Sequence, residues 1–240
     1  IKLLAATQIQ VSSHLCKQSS TRSKASMTTI RLINDNELSE TDFVNVTAAV
    51  AHFVPLITKA WNLPAMTVVG GGITQPGDWI VNITEQKRIV GASGYHEDVN
   101  GIPVAYVSYK SAGRIYGTYL KPMQLLGKII HPAIYSEGVV TVICHEIAEM
   151  LCDPQVNTYS KPDAQGREWL IEVCDHVFGS YSFYTVNGQV CVLPDITTPN
   201  YYKTGSQAPY SLFGGAVAPF TLTKAGYGYY KDNSGTLQRL

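Results

Sequence analysis

Phe43, Val46, Val50, Phe53, Val54 and Ile57 recur at three- and four-residue spacing, the repeat of a helix with one buried face. Ser39-Glu40-Thr41-Asp42 supplies N-cap chemistry before it and Asn62-Leu63-Pro64 stops it, so the pattern predicts a helix over 40–61. A second apolar stripe, Val139, Val140, Ile143, Ile147 and Leu151, predicts a helix opened by Ser136-Glu137 and ended near Asp153 by Pro154. β-Branched or alternating runs predict strands over 28–33, 79–84, 88–95 and 102–109, separated by Gly70-Gly71-Gly72, Pro76-Gly77 and Asn100-Gly101.

Residues 181–186 and 189–193 flank Asn187-Gly188, whose two residues tolerate the positive φ of a tight hairpin turn. A second hairpin is expected in the Tyr- and Gly-rich tail, with 220–222 and 227–230 on either side of Lys224-Ala225-Gly226. Residues 111–133, punctuated by Gly and Pro, read as a long ordered connection. Residues 1–26 are rich in Ser, Thr, Gln and Lys without sustained periodicity and read as an extended arm, with Met27 as an alternative start. The division is therefore an arm over 1–26 and one α+β domain over 27–240, a twisted sheet packed on two main helices with a hairpin-rich C-terminal part.

Composition narrows the functional classes. The chain has 240 residues, 45% of them hydrophobic, enough to bury one sizeable core. Eighteen basic residues balance 18 acidic ones and no long block of either sign occurs, which argues against nucleic acid or a charged membrane surface as partner. No uninterrupted apolar run approaches the roughly 18 residues that span a bilayer. The five cysteines are odd in number and lack C-x-x-C spacing, which points to a reducing compartment, cytoplasmic or inside a virion, and to buried thiols without chemistry of their own.

The second helix carries His145-Glu146-Ile147-Ala148-Glu149 within an apolar stretch. Helix positions four apart lie about 40° apart around the axis, so His145 and Glu149 converge as ligands to one divalent metal, and Glu146 stands beside them to polarise a bound water. A carboxylate buried there without a cation or a proton would cost several kcal/mol. Some twenty residues on, Glu172-Val173-Cys174-Asp175 offers a third ligand, from Glu172 or Asp175, with the spare carboxylate free to orient His145. Asp153 lies one turn beyond Glu149, near the same edge. His96 and His131 fall outside helical ligand spacing and read as structural, and His176 points away if Asp175 points inward. Tyr106 and Tyr109 read first as packing residues that could edge a substrate groove.

The string His145-Glu146 through Glu149-Met150-Leu151-Cys152-Asp153-Pro154, followed by Glu172-Val173-Cys174-Asp175, resembles the glutamate-zincin pattern of metallopeptidases over about 40 residues. It is similar above all to uncharacterised zincin-like proteins of bacteria and their phages, over the stretch from Gly94-Tyr95-His96 to Gly226-Tyr227-Gly228. That resemblance implies a zincin-like fold and a divalent metal, Zn2+ first, with His145, Glu149 and either Glu172 or Asp175 as its ligands; if the site is catalytic, the expected reaction is metal-assisted hydrolysis of a peptide or similar amide with Glu146 as catalytic base. The strand around 105–109 would hold an extended peptide substrate.

Where hydrolytic zincins carry a second His, this chain has Glu149, a harder ligand that makes a bound water less acidic and admits manganese, iron or calcium. The alternative is a phage or virion structural protein that reuses the fold, with homo-oligomer or assembly partners engaged through the arm.

Overall fold

The structure, a computed structural model, describes residues 28–85, 91–121, 123–125, 128–131 and 134–240. The arm over 1–26 lies outside the described residues, as do residues 88–90 at the start of the strand expected over 88–95.

The chain begins with strand β1 (Thr29–Asn34), helix α1 (Glu40–Trp61), and strands β2 (Thr67–Gly70), β3 (Trp79–Ile83), β4 (Gly94–Val99) and β5 (Ile102–Val107). A short helix α2 (Tyr109–Ala112) and four brief strands follow, β6 (Thr118–Leu120), β7 (Met123–Leu125), β8 (Lys128–His131) and β9 (Ile134–Ser136). Helix α3 (Val139–Cys152), β10 (Glu168–Trp169), a 3-10 turn over 175–177, β11 (Tyr181–Val186), β12 (Gln189–Pro194), β13 (Tyr229–Lys231) and β14 (Leu237–Arg239) complete the order. The domain is mixed α+β.

Five strands form the main sheet in the order β2-β1-β3-β5-β4. All neighbours are parallel except β4, which runs antiparallel to β5 through a turn with Asn100 at φ 55 and Gly101 at φ 83. Both turn residues take the left-handed conformation that such a two-residue connection demands. Helix α1 starts where the apolar pattern places it, with Ser39 accepting from the Asp42 amide, and ends on Asn62 in the left-handed region. It supplies the crossover between parallel β1 and β2. By length and composition α1 could cross a membrane; in the fold its apolar face packs on β2 and α3.

Helix α3 lies beside α1, over β4 and β5, and takes the β11/β12 hairpin on another side. Enclosed this way, every α3 residue except His145 and Cys152 is buried. Core side chains Ile30, Leu32, Val81, Ile83, Ala105 and Val107 of the sheet, Phe53 and Ile57 of α1, and Ile143 and Ile147 of α3 are all fully excluded from solvent. Such burial is the main favourable term of the fold.

Several expectations need correction. Thr67-Val68-Val69-Gly70 is a strand, too short to show periodicity, and owes its existence to pairing with β1. The strand expected over 88–95 is β4, at Gly94–Val99; its polar Glu97-Asp98 disguises it, because an edge strand tolerates charge. Ser136 ends β9, and its hydroxyl accepts from Arg114; α3 starts after Gly138, whose amide donates to the Thr141 hydroxyl. Residues 111–133, expected as one connection, hold the rest of α2 and the strands β6, β7 and β8. No second hairpin forms around Lys224; β13 instead pairs with β10 and with β14 across a turn at Asp232. The Asn187-Gly188 hairpin forms in the expected register.

Candidate metal centre

One turn of α3 presents His145, Glu146 and Glu149 toward β4 and the segment 172–175. On the β4 side the approach depends on Gly94, since a Cβ there would stand 2.6 Å from Val142 Cγ1 and 2.7 Å from Glu146 Oε1. His96, two residues along the same strand face, then brings Nδ1 to 3.4 Å from Glu146 Oε2 and 3.8 Å from Glu149 Oε2. On the other side the 3-10 turn places Asp175 Oδ1 3.1 Å from His145 Nε2, which is itself 3.3 Å from Glu149 Oε1. The Cys174 amide donates to Glu149 Oε1 at 3.4 Å, and its thiol donates to the His145 carbonyl at 3.7 Å.

Two groups of potential ligands therefore meet at Glu149: His145, Glu149 and Cys174, and His96, Glu146 and Glu149, with the ligand atoms of each group within 4.8 Å of one another. His145, Glu146, Glu149, Glu172 and Asp175 all lie in this one region, where Glu149 and Asp175 act electrostatically on Glu172. The structure also brings His96 and Cys174, which the sequence reading leaves out of the site, into the same cluster. Asp153 is buried but committed, accepting from the amides of Asn157 and Thr158 and from the Thr158 hydroxyl. His176 points away from the cluster, as its neighbour's inward turn requires. The side chain of His131 lies outside the described residues.

Charge and burial work against each other here. Burial by itself would lower the imidazole pKa values, yet the Glu146 hydrogen bond and the charges of Glu149 and Glu146 hold His96 above its ordinary value. For His145, too, burial is outweighed, by the charge of Glu149 and the hydrogen bonds its ring donates to Asp175 and Glu149, and its pKa stands well above the usual histidine range. Burial and the neighbouring charges of Glu149 and Asp175 push Glu172 up to about 11. Burial and the Glu149 charge raise Asp175, against hydrogen bonds with His145 and Tyr227. Burial also holds the Cys174 thiol well above its normal value, so without a cation it stays protonated.

Glu172 Oε2 is buried without a hydrogen-bond partner among the described residues, whereas the buried Asp175 Oδ1 faces His145 Nε2. A buried orphaned carboxylate oxygen beside converging imidazole and carboxylate groups is what a divalent cation would satisfy, so this donor set, nitrogen and oxygen with one sulfur nearby, fits such an ion.

The cluster opens on a cleft of about 320 Å³ lined by Ser93, Gly94, Glu137, His145, Glu146, Phe178, Tyr227 and Arg239. Arg239 stands over the Tyr227 and Tyr229 rings at 4.9 and 5.7 Å. Tyr106 stacks on Tyr95 and Tyr109 packs on the core, so neither faces the site as a donor.

The strand expected to hold substrate cannot do so, because β5 is paired on both sides, by β3 and β4. The edge strand is β4. Because the Ser108 amide bonds the Ser93 carbonyl, the alternation turns the backbone polar groups of Gly94, His96 and Asp98 away from β5.

A sequence signal for His96 existed. Counting back from the Asn100-Gly101 turn pairs it with Ala105, two residues from Val107 on the face that meets α3. Compared with known proteins, the chain matches no family model, no curated protein and no solved structure, so its function has to be read from the chemistry of the site.

Proposed function

We propose that this domain is a zincin-like metal-dependent hydrolase of peptides or similar amides, with His145, Glu149 and Asp175 as metal ligands and Glu146 as base. The observation that carries the reading is the convergence of the buried Asp175 Oδ1 on His145 Nε2 at 3.1 Å, one helical turn from Glu149 and on the wall of an open cleft.

His145, Glu149 and Asp175 would hold a divalent cation, which would supply Lewis acidity to a scissile carbonyl and a water beside Glu146. Glu146 takes the proton of the attacking water and returns it to the leaving amine. Tyr227, hydrogen-bonded to Asp175, holds that carboxylate toward His145. The outward amides and carbonyls of Gly94, His96 and Asp98 would add an extended peptide to the sheet edge beside Glu146. Glu172, kept protonated in the metal-free state, lies beside Glu149 as a neutral neighbour.

The test is metal content by mass spectrometry of the chain purified without added metal, for the parent and Glu149→Gln, followed by peptide cleavage with Glu146→Gln. About one ion per chain that Glu149→Gln fails to retain, with cleavage abolished in Glu146→Gln, is the expected result. A folded parent that holds no ion would overturn the reading and leave a zincin-like fold serving structure alone.

A further inference from the structure

The second ligand group, which the proposed mechanism does not use as such, points to another cation position. His96 Nδ1, Glu146 Oε2 and Glu149 Oε2 come together from β4 and α3, with side chains only 5%, 6% and 5% exposed. Separations of 3.4 and 3.8 Å are long for a charge-assisted hydrogen bond, which closes to about 2.7–2.9 Å. They suit an ion in between, since ligands roughly 2.0–2.1 Å from a tetrahedral metal stand about 3.3 Å apart.

His96 is also not tied down as a structural histidine would be. Its Nε2 is buried without a hydrogen-bond partner among the described residues, so the ring's polar contacts are those of Nδ1 with the two carboxylates. Glu149 has one oxygen for each side: Oε1 lies 3.3 Å from His145 Nε2, and Oε2 faces His96.

Resting on the metal reading above, we infer that the centre has two cation positions bridged by Glu149, the second held by His96, Glu146 and Glu149. One imidazole and two carboxylates make it a site for Zn2+ or Mn2+. Filling it engages the Glu146 carboxylate, so the second ion acts as a brake on the base. The first position works while Glu146 is free to take a proton.

The test uses the full chain, stripped with chelator and retitrated. Zn2+ stoichiometry is read by mass spectrometry and Mn2+ by electron paramagnetic resonance, in which two ions sharing a carboxylate couple and isolated ions do not. The parent should take up two ions, with a coupled Mn2+ signal. His96→Ala and the near-isosteric Glu146→Gln should each hold one, uncoupled, with circular dichroism confirming that they fold. A parent that binds one ion overturns this inference and leaves the single-metal reading standing. A parent that binds none removes both. Two ions retained in folded His96→Ala would place the second elsewhere and overturn the bridge.

Discussion

Asp175 and His176 are adjacent in the chain and enter opposite kinds of interior. Asp175 turns into a cluster of carboxylates and imidazoles, where each charge is offset only by its neighbours. His176 turns into an aromatic cage: its Nδ1 lies 2.9 Å from the Tyr202 hydroxyl, Tyr201 stacks on its ring at 5.3 Å, and Trp169 meets it edge-on at 5.5 Å. Burial there pushes its pKa down to about 4, so it is kept neutral. Both surroundings bury a titratable group. The cage solves the problem by discharging its histidine, whereas the cluster keeps charge and leaves carboxylate oxygens that only a proton or a cation can satisfy.

On the aromatic side, a large effect of this contrast is expected in acid. The pKa of His176 falls from 6.5 in the open chain to about 4 in the fold, so stability is complete above pH 6.5 and is lost as pH falls toward 4. That shift corresponds to about 3 kcal/mol. Denaturant titrations at pH 7 and pH 4 should show a steeper acid loss in the parent than in His176→Gln. Equal slopes would mean that the cage does not discharge its histidine.

A smaller effect is expected where β4 meets α3. Gly94→Ala puts a methyl against Val142 and Glu146, which should cost about 1–3 kcal/mol in urea unfolding. It should also weaken metal retention by displacing the carboxylate. An unchanged midpoint and unchanged metal content would show that the strand can withdraw from the helix without consequence.

A third effect tests the cluster's need for neutralisation. In metal-free protein Glu172 has its pKa raised from 4.5 to about 11, so its contribution to stability is present below pH 4.5 and declines as pH rises toward 11. Glu172→Gln, which mimics the neutral acid, should flatten that alkaline decline in thermal melts recorded from pH 5 to 9. A variant that declines as steeply as the parent would show that Glu172 is not held neutral.

The helical half of the site was legible in the sequence because a helix is a local object. The spacing of His145, Glu146 and Glu149 within an apolar stripe specifies a shared face before any tertiary contact is known. Likewise α1, with its Ser39 cap, and the Asn187-Gly188 turn declare themselves within a few residues. His96 belongs to a polar edge strand whose periodicity is masked by Glu97 and Asp98, and its place beside Glu146 depends on a pairing between strands and on one missing Cβ at Gly94. The choice between Glu172 and Asp175 beside His145 depends on a single 3-10 turn at 175–177, which leaves no trace in hydrophobic pattern. The tail failed for a related reason: β13 found partners at residues 168–169 and 237–239, so its register is set across the fold.

The enclosure of α3 also sets a clock. A helix walled by the sheet, α1 and the β11/β12 hairpin has no partial opening available to it, so its amides should exchange with solvent hydrogen only through global unfolding. The outward amides of Gly94, His96 and Asp98 on β4 have no such protection among the described residues and should exchange faster. Glu146 and Glu149 are thus carried by one of the slowest parts of the molecule and His96 by one of its fastest.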